Sequence, residues 1–144
     1  EGMREPLVGA TAEGRQKGQP LGANLSPSQG VQIRGPFSVL LSFAKLDYAR
    51  ICNGGPITIE ISDSVFRDQE SIEKVAMLVR AFAQQGCQQL QINSMNVDTL
   101  LDARIHPENH KNLIVRVWGW SGYFCELSPE YQDQIIARHI YSIN

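Results

Sequence analysis

The chain has 144 residues, 42% of them hydrophobic, and a net charge of −2, which suits one modest domain with its own core. No basic stripe marks a nucleic-acid surface. No apolar run reaches bilayer length, and the N-terminal stretch is too polar for a signal peptide, so neither nucleic acid nor membrane is an expected partner.

Cys52, Cys87 and Cys125 are odd in number and widely spaced. They argue against a disulfide framework or a zinc site and fit a reducing, cytoplasmic setting. The chain opens on Glu1 rather than Met, which leaves a fragment, a trimmed chain and a processed subunit all open.

In chain order, residues 1–35 are rich in Gly, Pro, Ser, Gln and charge, with poor periodicity. They read as an extended polar segment that packs on a larger neighbouring body. Residues 36–144 form the domain proper. A helix is predicted over 35–47, with Pro36 in its first turn and Phe37, Leu40, Leu41 and Ala44 as its apolar stripe. Asn53-Gly54-Gly55-Pro56 breaks the chain. Ile57-Thr58-Ile59-Glu60-Ile61 then alternates as a half-buried strand does.

The clearest helix runs from about Gln69 to Gln85, capped by Asp68 and ended by Gly86. Its stripe is Ile72, Val75, Ala76, Val79, Phe82 and Ala83. A strand follows over 89–93. Next comes a helix carrying Val97, Leu100, Leu101, Arg104 and Ile105, stopping near Pro107. Leu113 to Val117 is an apolar run of strand type. The last helix starts at Ser128-Pro129 and buries Tyr131, Ile135 and Ile136, with His139 and Ile140 as further candidates. Strands alternating with helices suggest an α/β arrangement.

The informative stretch is Arg116-Val117-Trp118-Gly119-Trp120-Ser121-Gly122-Tyr123-Phe124. Its plain reading is a tight turn, with Gly119 chosen for a positive φ. Elsewhere His106, His110 and His139 lack metal-ligand spacing. Asp98 and Asp102 read as a solvated helix face. Gly9, Gly14 and Gly18 lack the strand and helix of a phosphate loop.

Several segments recur together in a known order. They are Arg116-Val117-Trp118-Gly119-Trp120, then Phe124-Cys125-Glu126-Leu127, then Gln132-Asp133-Gln134-Ile135-Ile136-Ala137-Arg138. Upstream stand Gly86 to Asn93, Thr99 to Ala103, His106 to Leu113, Ala10 to Leu21 and Ser26 to Gly30. This ordered set resembles the glycyl radical enzymes, the pyruvate formate-lyase-like superfamily. It is nearer the dehydratase, lyase, decarboxylase and fumarate-adding branches than pyruvate formate-lyase itself.

The resemblance implies the C-terminal part of a ten-stranded α/β barrel, with the radical loop between its last strand and last helix. It implies that Gly119 stores an unpaired electron, with Arg116, Val117, Trp118, Trp120, Ser121, Tyr123 and Phe124 as the radical-loop motif. Glycine suits that role because a Cα radical shared by two amides must flatten, and a Cβ would obstruct the flattening. Trp118, Trp120, Tyr123 and Phe124 are suited to an apolar sleeve that excludes oxygen.

The resemblance further implies activation by a separate iron–sulfur and S-adenosylmethionine activase, and no metal in this chain. The catalytic cysteine would lie outside it, on the remainder of the catalytic subunit, since none of the three cysteines here matches the family's. Cys125 reads as a small buried hydrophobe. The whole would be an oxygen-sensitive, cytoplasmic homodimer acting on a small organic substrate. The alternative is a stand-alone glycyl radical spare part that repairs a larger enzyme. Trp118-Gly119-Trp120 departs from the Ser-Gly-Tyr-Ala pattern of that branch.

Overall fold

The alternating run near Ile57 forms a strand, β1 (Pro56–Ser62), that pairs in parallel with β2 (Gln89–Met95). Ile57 lies opposite Leu90, Ile59 opposite Ile92 and Glu60 opposite Asn93. The computed structural model describes residues 8–19, 21, 22, 24–28, 31–117, 119–138 and, for backbone only, 140 and 141. Trp118 and His139, with Pro20, Gln29 and Gly30 of the N-terminal resemblance, lie outside the described residues.

Two helices cover the apolar face of β1: α1 (Pro36–Phe43) and α2 (Gln69–Gln84), the latter being the crossover between the parallel strands. The Asp68 carboxylate accepts from the Ser71 amide at 2.8 Å and caps α2 as its sequence signals. Val39, Leu40, Phe43, Ile57, Ile59, Ile61, Val65, Val75, Leu78 and Phe82 make one core. Each fully buried isoleucine there contributes about 1.5–3 kcal/mol relative to exposure. The Phe43 and Phe82 rings stack with centroids 6.0 Å apart. The Tyr48 hydroxyl donates to the Phe43 carbonyl at 2.6 Å, and burial pushes its pKa up to about 12.

The second half begins with α3 (Val97–Ile105), capped by Asn96, which accepts from the Thr99 amide at 3.1 Å. An antiparallel hairpin follows, β3 (Ile114–Val117) and β4 (Trp120–Tyr123), then α4 (Pro129–Ile136), capped by Ser128. Met95, Leu100, Ala103, Val115, Val117, Phe124 and Ile135 form a second core beneath the hairpin. The chain then returns as β5 (Ile140–Tyr141), which lies parallel to β1 with Ile140 opposite Glu60. The sheet order is therefore β2-β1-β5, and the fold is mixed α/β.

Several sequence expectations change. Helix α1 ends at Phe43 and buries Val39 and Phe43, while Phe37 and Leu41 face outward. In α2 the buried stripe is Val75, Leu78 and Phe82; Ile72, Ala76, Val79 and Ala83 are exposed. In α3 the core takes Leu100 and Ala103, and Leu101 and Ile105 point to solvent. Leu40, Val75, Phe82 and Leu100 of the expected stripes are buried, but all three helices are apolar on more than one face, so periodicity alone set their rotation only in part. Arg104 leaves the stripe to bind Asp133 of α4 through both nitrogens. Helix α4 stops at Ile136, and Ile140 belongs to a strand. Gly119 does lie between β3 and α4, but at a hairpin tip, with β4 and a 3-10 turn at Phe124–Glu126 before the helix.

The N-terminal segment is organised by Arg15, whose guanidinium donates to the Gly9, Gln16 and Gln19 carbonyls. Further on, the Leu25 amide donates to the Pro56 carbonyl at 3.1 Å, and the Thr58 amide donates to the Ser26 hydroxyl at 3.0 Å. These bonds lay residues 24–26 beside the start of β1.

Candidate functional site

Strand β3 alternates as its sequence dictates: Val115 and Val117 are buried, while Ile114 and Arg116 face out. Val117 pairs with Trp120, which places Gly119 in the turn that joins β3 to β4. Gly119 has φ +94°, a conformation that side-chain-bearing residues rarely adopt. It is exposed, and a Cβ built on it meets no described atom within 4 Å.

Trp118 of the expected sleeve lies outside the described residues, and among those described Trp120, Tyr123 and Phe124 do not close around Gly119. Phe124 is fully buried, but it sits in the second core. Trp120 and Tyr123 are 48% and 44% exposed, and Ser121 is exposed too. The Trp120 ring instead folds over Gly122 in its own strand.

Below the tip the hairpin is held by polar bonds. The Arg116 guanidinium donates to the Ser121 hydroxyl across the strand pair at 3.3 Å. The Phe124 amide donates to the Leu113 carbonyl at 2.8 Å and closes the base. From α4, the Gln132 side-chain amide donates to the Phe124 and Leu127 carbonyls at 3.0 and 3.2 Å. Arg138 uses Nη1 twice, donating to Oε1 of Glu60 at 2.8 Å and to the Arg116 carbonyl at 3.1 Å.

Sequence reasoning assigned no role to Glu60, which it placed on the polar side of a half-buried strand. The structure leaves Glu60 only 4% exposed. Burial raises its carboxyl above the ordinary glutamate range, against the opposing pull of Arg138 and Asn93. The signal that could have found the pair was a lone acid in an isoleucine-rich strand together with the arginine that ends the Gln-x-x-Ile-Ile-x-Arg segment.

A cleft of about 580 Å³ separates the sheet from the hairpin, and Asp63, Asn93, Asn96, Thr99, Arg116 and Ser121 are among its lining residues. The cysteines lie apart from the Gly119 tip. Cys87 packs on the first core, where burial raises its thiol pKa and Tyr48 lowers it in part. Cys125 packs on the second core, with its sulfur 3.5 Å from the His110 carbonyl. Cys52 is exposed. His110 contacts Asp102 at 2.6 Å, so that aspartate has a partner on what the sequence suggested was a solvated face. Among the described residues no three His, Cys, Asp or Glu side chains converge as a metal ion requires. No helix among them is long and apolar enough to cross a membrane.

Comparison with known proteins gives the family. The chain is 37% identical over 131 residues to the probable dehydratase YbiW of Escherichia coli, a match covering 90% of this chain and 16% of that protein. It is 34% identical over 132 residues to the trans-4-hydroxy-L-proline dehydratase of Clostridioides difficile, covering 92% of this chain and 17% of the relative. Its fold superposes on the glycerol-bound B12-independent glycerol dehydratase of Clostridium butyricum with a TM-score of 0.89 and 34% identity, over 96% of this chain and 18% of the other. The chain thus spans about one sixth of the length of the relatives it matches. The model of the family described as "Glycine radical" matches residues 21–125, which contain both paired strands of the hairpin and its tip, and the chain belongs to that family.

Proposed function

We propose that Gly119 carries a stable radical for a larger anaerobic enzyme of the lyase or dehydratase type. The family match over residues 21–125, with Gly119 at the hairpin tip, carries this reading. One hydrogen atom leaves the α-carbon and one unpaired electron stays, shared between the two flanking amides. An activase bearing an iron–sulfur cluster and using S-adenosylmethionine removes that atom. Residues 116, 117, 118, 120, 121, 123 and 124 form the loop that presents it.

Exposure of the tip agrees with a shared site. A carbon radical beside half-exposed Trp120 and Tyr123 would meet dissolved oxygen unless another body covered it. The remainder of the catalytic subunit supplies that cover as the rest of a ten-stranded barrel, together with the cysteine that takes up the radical during turnover. Residues 1–35 lie along that larger body. The setting is cytoplasmic and oxygen-poor, and the whole enzyme is a homodimer. The substrate is a small organic molecule, as for the dehydratases that the chain resembles.

Anaerobic activation of the full-length natural polypeptide, followed by electron paramagnetic resonance, tests this. A doublet is expected that is absent from G119A, with backbone scission at Gly119 on exposure to air. A doublet that survives in G119A would refute the assignment.

A further inference from the structure

We propose that Arg138 is a positioning residue for the Gly119 hairpin, clasping it to the parallel sheet through Glu60. The consequence for the radical rests on Gly119 being its carrier; the clasp itself does not.

The two apolar cores are separate, and of the sheet strands it is Met95, at the end of β2, that reaches into the core beneath the hairpin. Hydrophobic packing therefore leaves the angle between sheet and hairpin weakly specified, because burial is non-directional. Other links between the halves are seen among the described residues. Strand β5 runs beside β1, and the Asn96 side-chain amide donates to Asp63 at 3.3 Å. Neither involves the hairpin. The Nη1 atom of Arg138 does, because it donates both to Glu60 on β1 and to the Arg116 carbonyl on β3.

The Glu60 end of the clasp is buried, with the side chains of Arg138 and Glu60 13% and 4% exposed, so water cannot cheaply replace that bond, while the Arg116 end lies at the surface. Its seat is fixed as well. Oε1 of Glu60 also accepts from Asn93 at 3.1 Å, which ties the carboxyl to β2. Both donors use the same oxygen, an acceptor whether the carboxyl is charged or protonated, and Oε2 has no partner among the described residues.

Arg116 lies three residues before Gly119, a reach of at most about 10 Å. A tilt of about 6° at the clasp would move the α-carbon by roughly 1 Å, and a misplacement of that size costs about a hundredfold where reacting atoms must meet. The same tilt would open whatever cover lies on the tip.

The test uses the full-length natural polypeptide with R138A, R138K, E60Q and G119A. Amide hydrogen exchange in 114–117 and 120–123 is expected to rise roughly ten- to a hundredfold in R138A, the weight of a hydrogen bond to a charged group. Amides of α2 should stay unchanged. After anaerobic activation, the doublet should form poorly in R138A or be lost faster than wild type to a fixed dose of dioxygen. R138K should recover part of both effects, and E60Q, which keeps an acceptor oxygen but not the counter-charge, should loosen the hairpin less than R138A does.

Unchanged hairpin exchange in R138A, or an equal rise in α2, overturns the clasp. A loosened hairpin whose doublet forms and decays as in wild type overturns the positioning role. A wild-type doublet that persists in G119A sinks the radical reading instead, and the exchange arm still decides the clasp.

Discussion

The Trp120 ring lies so close over Gly122 that a Cβ built on Gly122 would stand 2.7 Å from Cζ3 of the indole. The two residues are i and i+2 on one strand face, where side chains are neighbours. Gly122 is thus kept free of a side chain by the indole, while Gly119 needs its freedom for backbone conformation. Both glycines of the motif have a structural reason, and the reasons differ.

Replacing Gly122 with alanine should therefore move the indole rather than break the fold, because Trp120 is 48% exposed and its ring can swing outward. Tryptophan emission should shift to the red, and stability should fall by no more than about 1 kcal/mol. Emission identical to wild type would mean that the indole does not rest on Gly122.

Gly119→Ala separates the conformational role of that glycine from its chemical one. No described atom lies within 4 Å of the new Cβ, so sterics cost little and backbone strain at φ +94° costs about 1–2 kcal/mol. The variant should fold, with a lowered denaturant midpoint, and carry no radical. A stability loss alone would not distinguish a turn glycine from a radical glycine; the spin measurement does.

The corrected rotation of α2 has a direct check. Leu78→Ala should cost about 2–5 kcal/mol, since Leu78 is 1% exposed in the first core. Val79→Ala, one position along and 44% exposed, should stay within about 0.5 kcal/mol. Equal costs, read from urea midpoints, would place Val79 against a packed surface.

How far the sequence could be read follows from these positions. Strand and helix positions were legible because caps and breakers are local: Asp68, Gly86, Ser128 and Pro129 act on their own neighbours. Which face of α2 turns inward was not, because Val75 and Phe82 are compatible with two stripes and only β1 chooses between them. Strand β4 was missed because Ser121 and Gly122 have weak strand preference, and pairing with Val115 and Arg116 supplies what propensity does not. The Gly119 tip was legible from its motif. The Glu60–Arg138 contact was not, since its partners lie 78 residues apart.

Glu60 also makes stability depend on pH with a definite sign. Its native pKa is raised, chiefly by burial, which outweighs the charge of Arg138 and the bonds from Asn93 and Arg138. The native state then holds the proton more tightly than the unfolded chain does. Between the ordinary glutamate value and the raised one, folding binds extra proton, so this group's contribution is most favourable at acid pH and is lost as pH rises through the native pKa. E60Q cannot titrate. The stability of E60Q minus that of wild type should therefore increase from pH about 4 to pH about 7, and taking the difference cancels the other carboxylates. The absolute offset is a separate matter, because glutamine leaves the Arg138 charge without a counter-ion in a buried place. Denaturant midpoints of both proteins across that range give the slope. A difference that shrinks with pH would mean that attraction to Arg138 exceeds the cost of burying the carboxylate.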